Sequence, residues 1–183
     1  MSTRVLLRAV FVVVLASLTS TLGAEDYEQH VRHLAPNTAP DTIREAVRAL
    51  REAGTNAFPT LLAHLGDKAP AERRIFQRDV LEHGTFHAAT PTIGGVCFDL
   101  LQGQIEGNWP KGFRHYYVLT AATARDWLAR HRGLSLQQLR IEAARQSLRR
   151  AEADTPKTGE TRFHKETLDF LRKNLDDAKR NAA

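Results

Sequence analysis

Apolar residues in this chain recur every third or fourth position, and that period decides what it can fold into. Ile43, Ala46, Val47 and Leu50 fall on one face of a helix, with Arg44, Arg48, Arg51 and Glu52 outside. Ala124, Trp127 and Leu128 repeat the pattern, as do Leu136, Leu139, Ala143, Leu148 and Ala151, and then Phe163, Leu168, Phe170, Leu171 and Leu175. A half-buried strand needs alternation at every second residue, and no segment keeps it. Tyr116, Tyr117, Val118 and Leu119 are the one stretch compatible with extended backbone. The expectation is an all-α fold: a small helical domain.

Caps and breakers place the elements. Tyr27, Val31 and Leu34 make one face of a short helix that Pro36 stops. Thr38-Ala39-Pro40-Asp41 reads as a capping box, and Gly54 closes the helix that follows. Asn56 is the expected N-cap of the next helix, with Pro59 in its first turn and Phe58, Leu61, Leu62 and Leu65 inward. Helices are expected over Arg74 to Leu81 and Ile93 to Ile105, with loop from Gly84 to Thr92. Gly107, Pro110 and Gly112 break the chain between Glu106 and Thr120. Three helices should end it: Thr120 to Arg132 with Gly133 as cap, Ser135 to Ala153 opened by a second capping box, and Thr161 to Lys179 after a linker at Pro156 to Gly159. The division expected is residues 1–24 as a leader, 25–155 as a helical domain and 156–183 as a C-terminal amphipathic helix.

The leader reads as a cleaved export signal. Arg4 and Arg8 precede an apolar run from Ala9 to Leu18, and small residues lead to Ala24 before Glu25-Asp26. The uncharged run from 9 to 24 is shorter than the roughly 20 residues a spanning helix needs, so no stable membrane span is expected after cleavage. The protein is expected in a periplasm or outside the cell. Cleavage removes two of the 26 basic residues and none of the 21 acidic ones, leaving a net charge of only +3. Nucleic acid is therefore not an expected partner. Cys97 is the single cysteine, so no internal disulfide can form and the core must supply the stability. Its setting, Val96-Cys97-Phe98, predicts a buried structural thiol.

The segment from Ile43 to Asp67, IREAVRALREAGTNAFPTLLAHLGD, resembles one HEAT-type repeat. The resemblance rests on the glycine between two helices, the Ala57-x-Pro59-x-Leu61-Leu62 run and the closing Leu65-x-Asp67. It implies an antiparallel helix pair and, by analogy of fold, protein partners. Ile93 to Ile105 would be a degenerate partner helix, with Val96, Leu100 and Leu101 on one side.

Candidate chemistry is sparse. His30 and His33 are three apart, and His83 and His87 are four apart, but Gly84-Thr85 interrupts the second pair and no third ligand converges. Cys97 with His87 or His115 would supply a thiol and a base, yet no thiol-protease motif surrounds them. Phosphate loops, the G-x-S-x-G elbow and haem attachment motifs are absent, so no catalytic residue, metal ligand or cofactor is assigned. Arg140, Arg145, Arg149 and Arg150 share a helix with Glu142, Glu152 and Asp154, which predicts a solvated face with local ion pairs. The densest unusual feature is Asn108 to Tyr117, NWPKGFRHYY. Aromatics mixed with Lys111, Arg114 and His115 on a breaker-rich loop have the composition of a binding surface. Trp109, Arg114, His115 and Tyr116 are the candidate partner-binding residues; inward packing of Trp109, Phe113 and Tyr117 is the competing expectation. The expected role is an exported non-enzymatic binding or scaffold protein with a protein partner. The alternative is an exported metal-binding protein or enzyme built on the histidines and Cys97.

Overall fold

The computed structural model describes residues 27–73, 91–154 and 161–182. The leader, the helix expected at Arg74 to Leu81, His83, His87 and the linker at Pro156 to Gly159 lie outside the described residues. Those described form an all-α fold. Among them no β-strand occurs, and the only sheet-like pairing is an isolated bridge between Pro70 and Thr92.

Helix α1 (27–32) and the turn after it bring Val31 and Leu34 into the core. Helix α2 (Pro40–Glu52) buries Ile43, Ala46, Val47 and Leu50, the face set by its apolar period. The capping box expected at Thr38 does not form. The helix begins at Pro40, whose ring presets the first helical φ and leaves no N–H to cap, so the N-cap is Ala39 and carries no side-chain bond. Asp41 still sits in the first turn and pairs with Arg44. Gly54 takes φ +57, as a helix terminator must. A 3-10 turn (Gly54–Ala57) then leads into α3 (Phe58–Ala63), so the cap of α3 is Ala57 and Asn56 lies inside the turn. A second 3-10 turn (His64–Gly66) follows.

Helix α4 (Ile93–Ile105) opens with the Thr92 hydroxyl accepting from Gly95 N at 3.1 Å. Its glycines are there for contact. A Cβ on Gly94 would lie 2.6, 2.8 and 2.9 Å from the carbonyl oxygens of Leu65, Asp67 and His64, and Gly94 N donates to Asp67 O at 2.9 Å. Only glycine lets this helix start press against the 64–67 backbone. Val96, Cys97, Leu100, Leu101 and Ile105 complete an aliphatic core with α1 to α3, joined by Val118, Leu119, Ala124, Trp127, Leu139 and Ala143.

Helix α5 (Ala124–Arg130) ends before Gly133, at φ +85. Ser135 and Gln138 form the full capping box of α6 (Leu136–Ala153). Helix α7 (Thr161–Arg180) runs antiparallel to α6: Gln137 near the start of α6 reaches Ala178 near the end of α7, and Glu152 pairs with Arg172. This hairpin carries a second cluster of Trp109, Tyr116, Ala151 and Leu171, flanked by Phe113, Tyr117, Leu148, Leu168 and Phe170. Among the described residues no helix is long and apolar enough to cross a membrane.

Candidate partner-binding surface

The segment between α4 and α5 is irregular because its glycines and Pro110 forbid regular helix, and side chains anchor it instead. Gly107 turns the chain out of α4 at φ +74. Just before it, the Glu106 side chain turns inward and is only 4% exposed. Its carboxylate accepts from Val118 N at 2.5 Å and Leu119 N at 3.2 Å, closing the base of the loop. Burial pushes this carboxyl up from its ordinary 4.5 to about 7, against the two amides, Gln102 and the Arg150 charge, which all favour the ionised form.

Within the loop, the Tyr117 hydroxyl donates to Gly107 O at 2.9 Å and accepts from Trp109 N at 3.0 Å. Arg114 Nε donates to Trp109 O at 2.8 Å, and Arg150 from α6 donates to Tyr117 O at 2.9 Å. These bonds surround a 3-10 turn at Lys111–Tyr116. Its rings then interleave with α7. Trp109 packs on Tyr117 at 4.5 Å between centroids and edge-on to Phe170 at 5.7 Å. Phe113 stacks between Phe170 at 4.5 Å and Phe163 at 6.0 Å, each at 15°.

The four candidate residues therefore separate. Trp109 and Tyr116 are buried, at 3% and 7% exposure, and cannot present aromatic tips to a partner. The Tyr116 hydroxyl is pushed up to about 12 by burial, then by its hydrogen bond to Asp154 and that residue's charge. Arg114 is half-buried and His115 is exposed, its ring tilted over Tyr116 at 4.0 Å. Trp109, Phe113 and Tyr117 pin the loop to the helices.

Two contributors escaped the sequence reading. Glu106, beside Gly107, carries no local sequence signal of its burial. Phe163, placed by its period on the apolar face of α7, is 46% exposed, the only large hydrophobic side chain exposed among the described residues. The arginine strip of α6 divides likewise. Arg145 and Arg149 pair with Glu142 at 3.9 and 3.2 Å, as the ion-pair reading expects. Arg140 and Arg150 instead donate to main-chain carbonyls, at Gln104 and Tyr117.

Among the described residues, which leave out His83 and His87, no hydrogen bond joins a histidine to the Cys97 thiol. Cys97 is buried in the aliphatic core, and burial, with the charges of Asp67 and Glu28, pushes it up to about 12, so it stays a protonated packing residue at neutral pH. His64 lies between Glu28 at 2.9 Å and Asp67 at 3.5 Å. Among the described residues no group of three or more His, Cys, Asp or Glu side chains is placed to hold a metal. A cleft of about 160 Å³, lined in part by Gln104, Gln137, Arg140 and Asn174, lies where α4, α6 and α7 meet. It is below the few hundred Å³ usual for small-molecule sites. Comparison with protein-family models, with curated proteins and with solved structures finds no match.

Proposed function

We propose that this chain is an exported, non-enzymatic binding or scaffold protein that holds a protein partner on its helical surface. One observation carries the reading: the 3-10 turn offers exposed His115 and half-buried Arg114 from a loop fixed by buried aromatics and side-chain bonds to its backbone. Rigid polar and aromatic groups on a pre-ordered loop lose little entropy on binding, which is how small surfaces reach useful affinity. The HEAT-like character of residues 43–67 supports a protein partner by analogy of fold. The leader supports export, with a mature N-terminus at Glu25. The test places a photo-crosslinking residue at His115 in the full chain, expressed in its own cell. Expected is a discrete protein adduct on a product whose intact mass begins at or near Glu25. Absence of any adduct across repeated exposures overturns the binding surface, and retention of Arg4 and Arg8 overturns export.

A further inference from the structure

Phe163 is exposed as the outer end of a stack. Phe163, Phe113 and Phe170 lie nearly parallel, and Phe170 meets Trp109 in the second core cluster. The outer ring is thus backed by a continuous column of rings. Gly112 lies flush against it: a Cβ there would sit 3.4 Å from the Phe163 ring. No side chain from that residue covers the aromatic surface. Rigid aromatic ledges of this kind are the usual anchors of protein interfaces.

On the loop side, the charges beside the ledge have one sign. From Asn108 to Tyr117 there are two cations and a histidine and no acid. Lys111 is exposed and has no ion-pair partner among the described residues. Arg114 uses its Nε on the Trp109 carbonyl. The α7 side is balanced, with Arg162 bonded to Glu166 at 3.0 Å. We propose that the ledge of Phe163, Phe113 and Lys111 docks an acidic peptide segment of the partner, one that lays an apolar, preferably aromatic, side chain on the Phe163 ring. This rests on the protein-binding reading above and names the chemistry of that partner. A lipid surface fits less well. Interfacial helices need a broad apolar face, whereas the outward side of α7 carries both signs at Arg162, Lys165, Glu166 and Asp169 around one exposed ring.

The test pans a random peptide display library against the full exported chain, then measures the enriched peptides by fluorescence anisotropy against wild type, Phe163→Ser and Lys111→Glu. Enriched sequences should carry net negative charge around an aromatic or large aliphatic residue. Affinity should fall at least about tenfold in Phe163→Ser, by a smaller factor in Lys111→Glu, and with added salt in wild type. Lys111→Glu alters only an exposed side chain, so it keeps the test decisive if Phe163→Ser unfolds the cluster. Neutral or basic enriched peptides, equal binding by both variants, or no enrichment would each overturn the proposal. So would capture of the wild type, but not of Phe163→Ser, by phosphatidylglycerol vesicles without peptide enrichment, which assigns the ledge to a membrane. A persistent protein adduct at position 115 alongside a failed library sinks the acidic-peptide assignment and leaves the broader reading standing.

Discussion

The aliphatic core of α1 to α4 and the aromatic cluster under α7 are both buried, but they are held differently. In the first, Ile43, Leu50, Leu61 and Leu101 pack from helices whose backbone bonds are mostly their own. In the second, a loop with no regular helix brings Trp109 and Tyr116 to α6 and α7, and its backbone groups must find side chains. Glu106, Arg114, Tyr117 and Arg150 each supply such bonds. The aliphatic core therefore depends on volume, and the aromatic cluster on a set of polar bonds that volume alone cannot replace.

The largest effect should come from the aliphatic side. Leu61 is fully buried, and Leu61→Ala leaves a cavity that costs roughly 2–5 kcal/mol. Urea denaturation should show the loss at every pH, because no titrating group is involved. A loss below about 0.5 kcal/mol would mean that the core collapses around the gap and is not closely packed.

The same contrast explains what the sequence showed. The faces of α2, α4 and α6 follow from period alone, and the Ser135–Gln138 box and the turns at Gly54 and Gly133 follow from short-range rules. Gly94 is a poor helix former by propensity, and propensity cannot register the carbonyl row pressed against the start of α4. The Thr38 cap failed because two starts compete locally and Pro40 wins. At the candidate surface, composition singled out ten residues but could not give their directions. Trp109 and Tyr116 turn in because α6 and α7 supply the opposite wall, a long-range fact. Glu106 is buried by a return of the chain twelve residues later, and nothing within its own window signals that.

A pH test separates the two regions. Burial holds the Glu106 carboxyl at about 7, above its ordinary 4.5. Between those values the unfolded chain has released this proton while the folded chain keeps it, so stability falls as pH rises through the window. The full loss above pH 7 is roughly 3 kcal/mol by the conversion of about 1.36 kcal/mol per unit. Glu106→Gln removes this dependence. Its stability relative to wild type should therefore rise between pH 5 and pH 8, measured as a difference of urea midpoints. A constant difference would mean that Glu106 ionises normally. Leu61→Ala should show no such trend.

Tyr117→Phe probes the polar bonds without changing the ring. It leaves the Gly107 carbonyl and the Trp109 amide without the hydroxyl that serves both, at a cost of about 1–3 kcal/mol. The loss should be local: amide exchange should accelerate through Gly107 to Tyr117 while α2 keeps its protection. Equal acceleration in both regions would show that the two clusters unfold as one unit.

The smallest effect is the most discriminating. Arg150 donates to Tyr117 O from an exposed position on α6, so Arg150→Ala should cost only about 0.5–1 kcal/mol at pH 5, where folded Glu106 is protonated. Its charge also favours ionised Glu106. Removing it shifts the Glu106 midpoint upward, and the cost of the substitution grows between pH 5 and pH 8. Combined with Glu106→Gln, that growth should vanish, because the neutral amide has no charge for Arg150 to stabilise. If the penalty is the same at both pH values, Arg150 acts only through its bond to the Tyr117 carbonyl. The loop is then tied by hydrogen bonds alone, and the electrostatic part of the contrast with the aliphatic core falls.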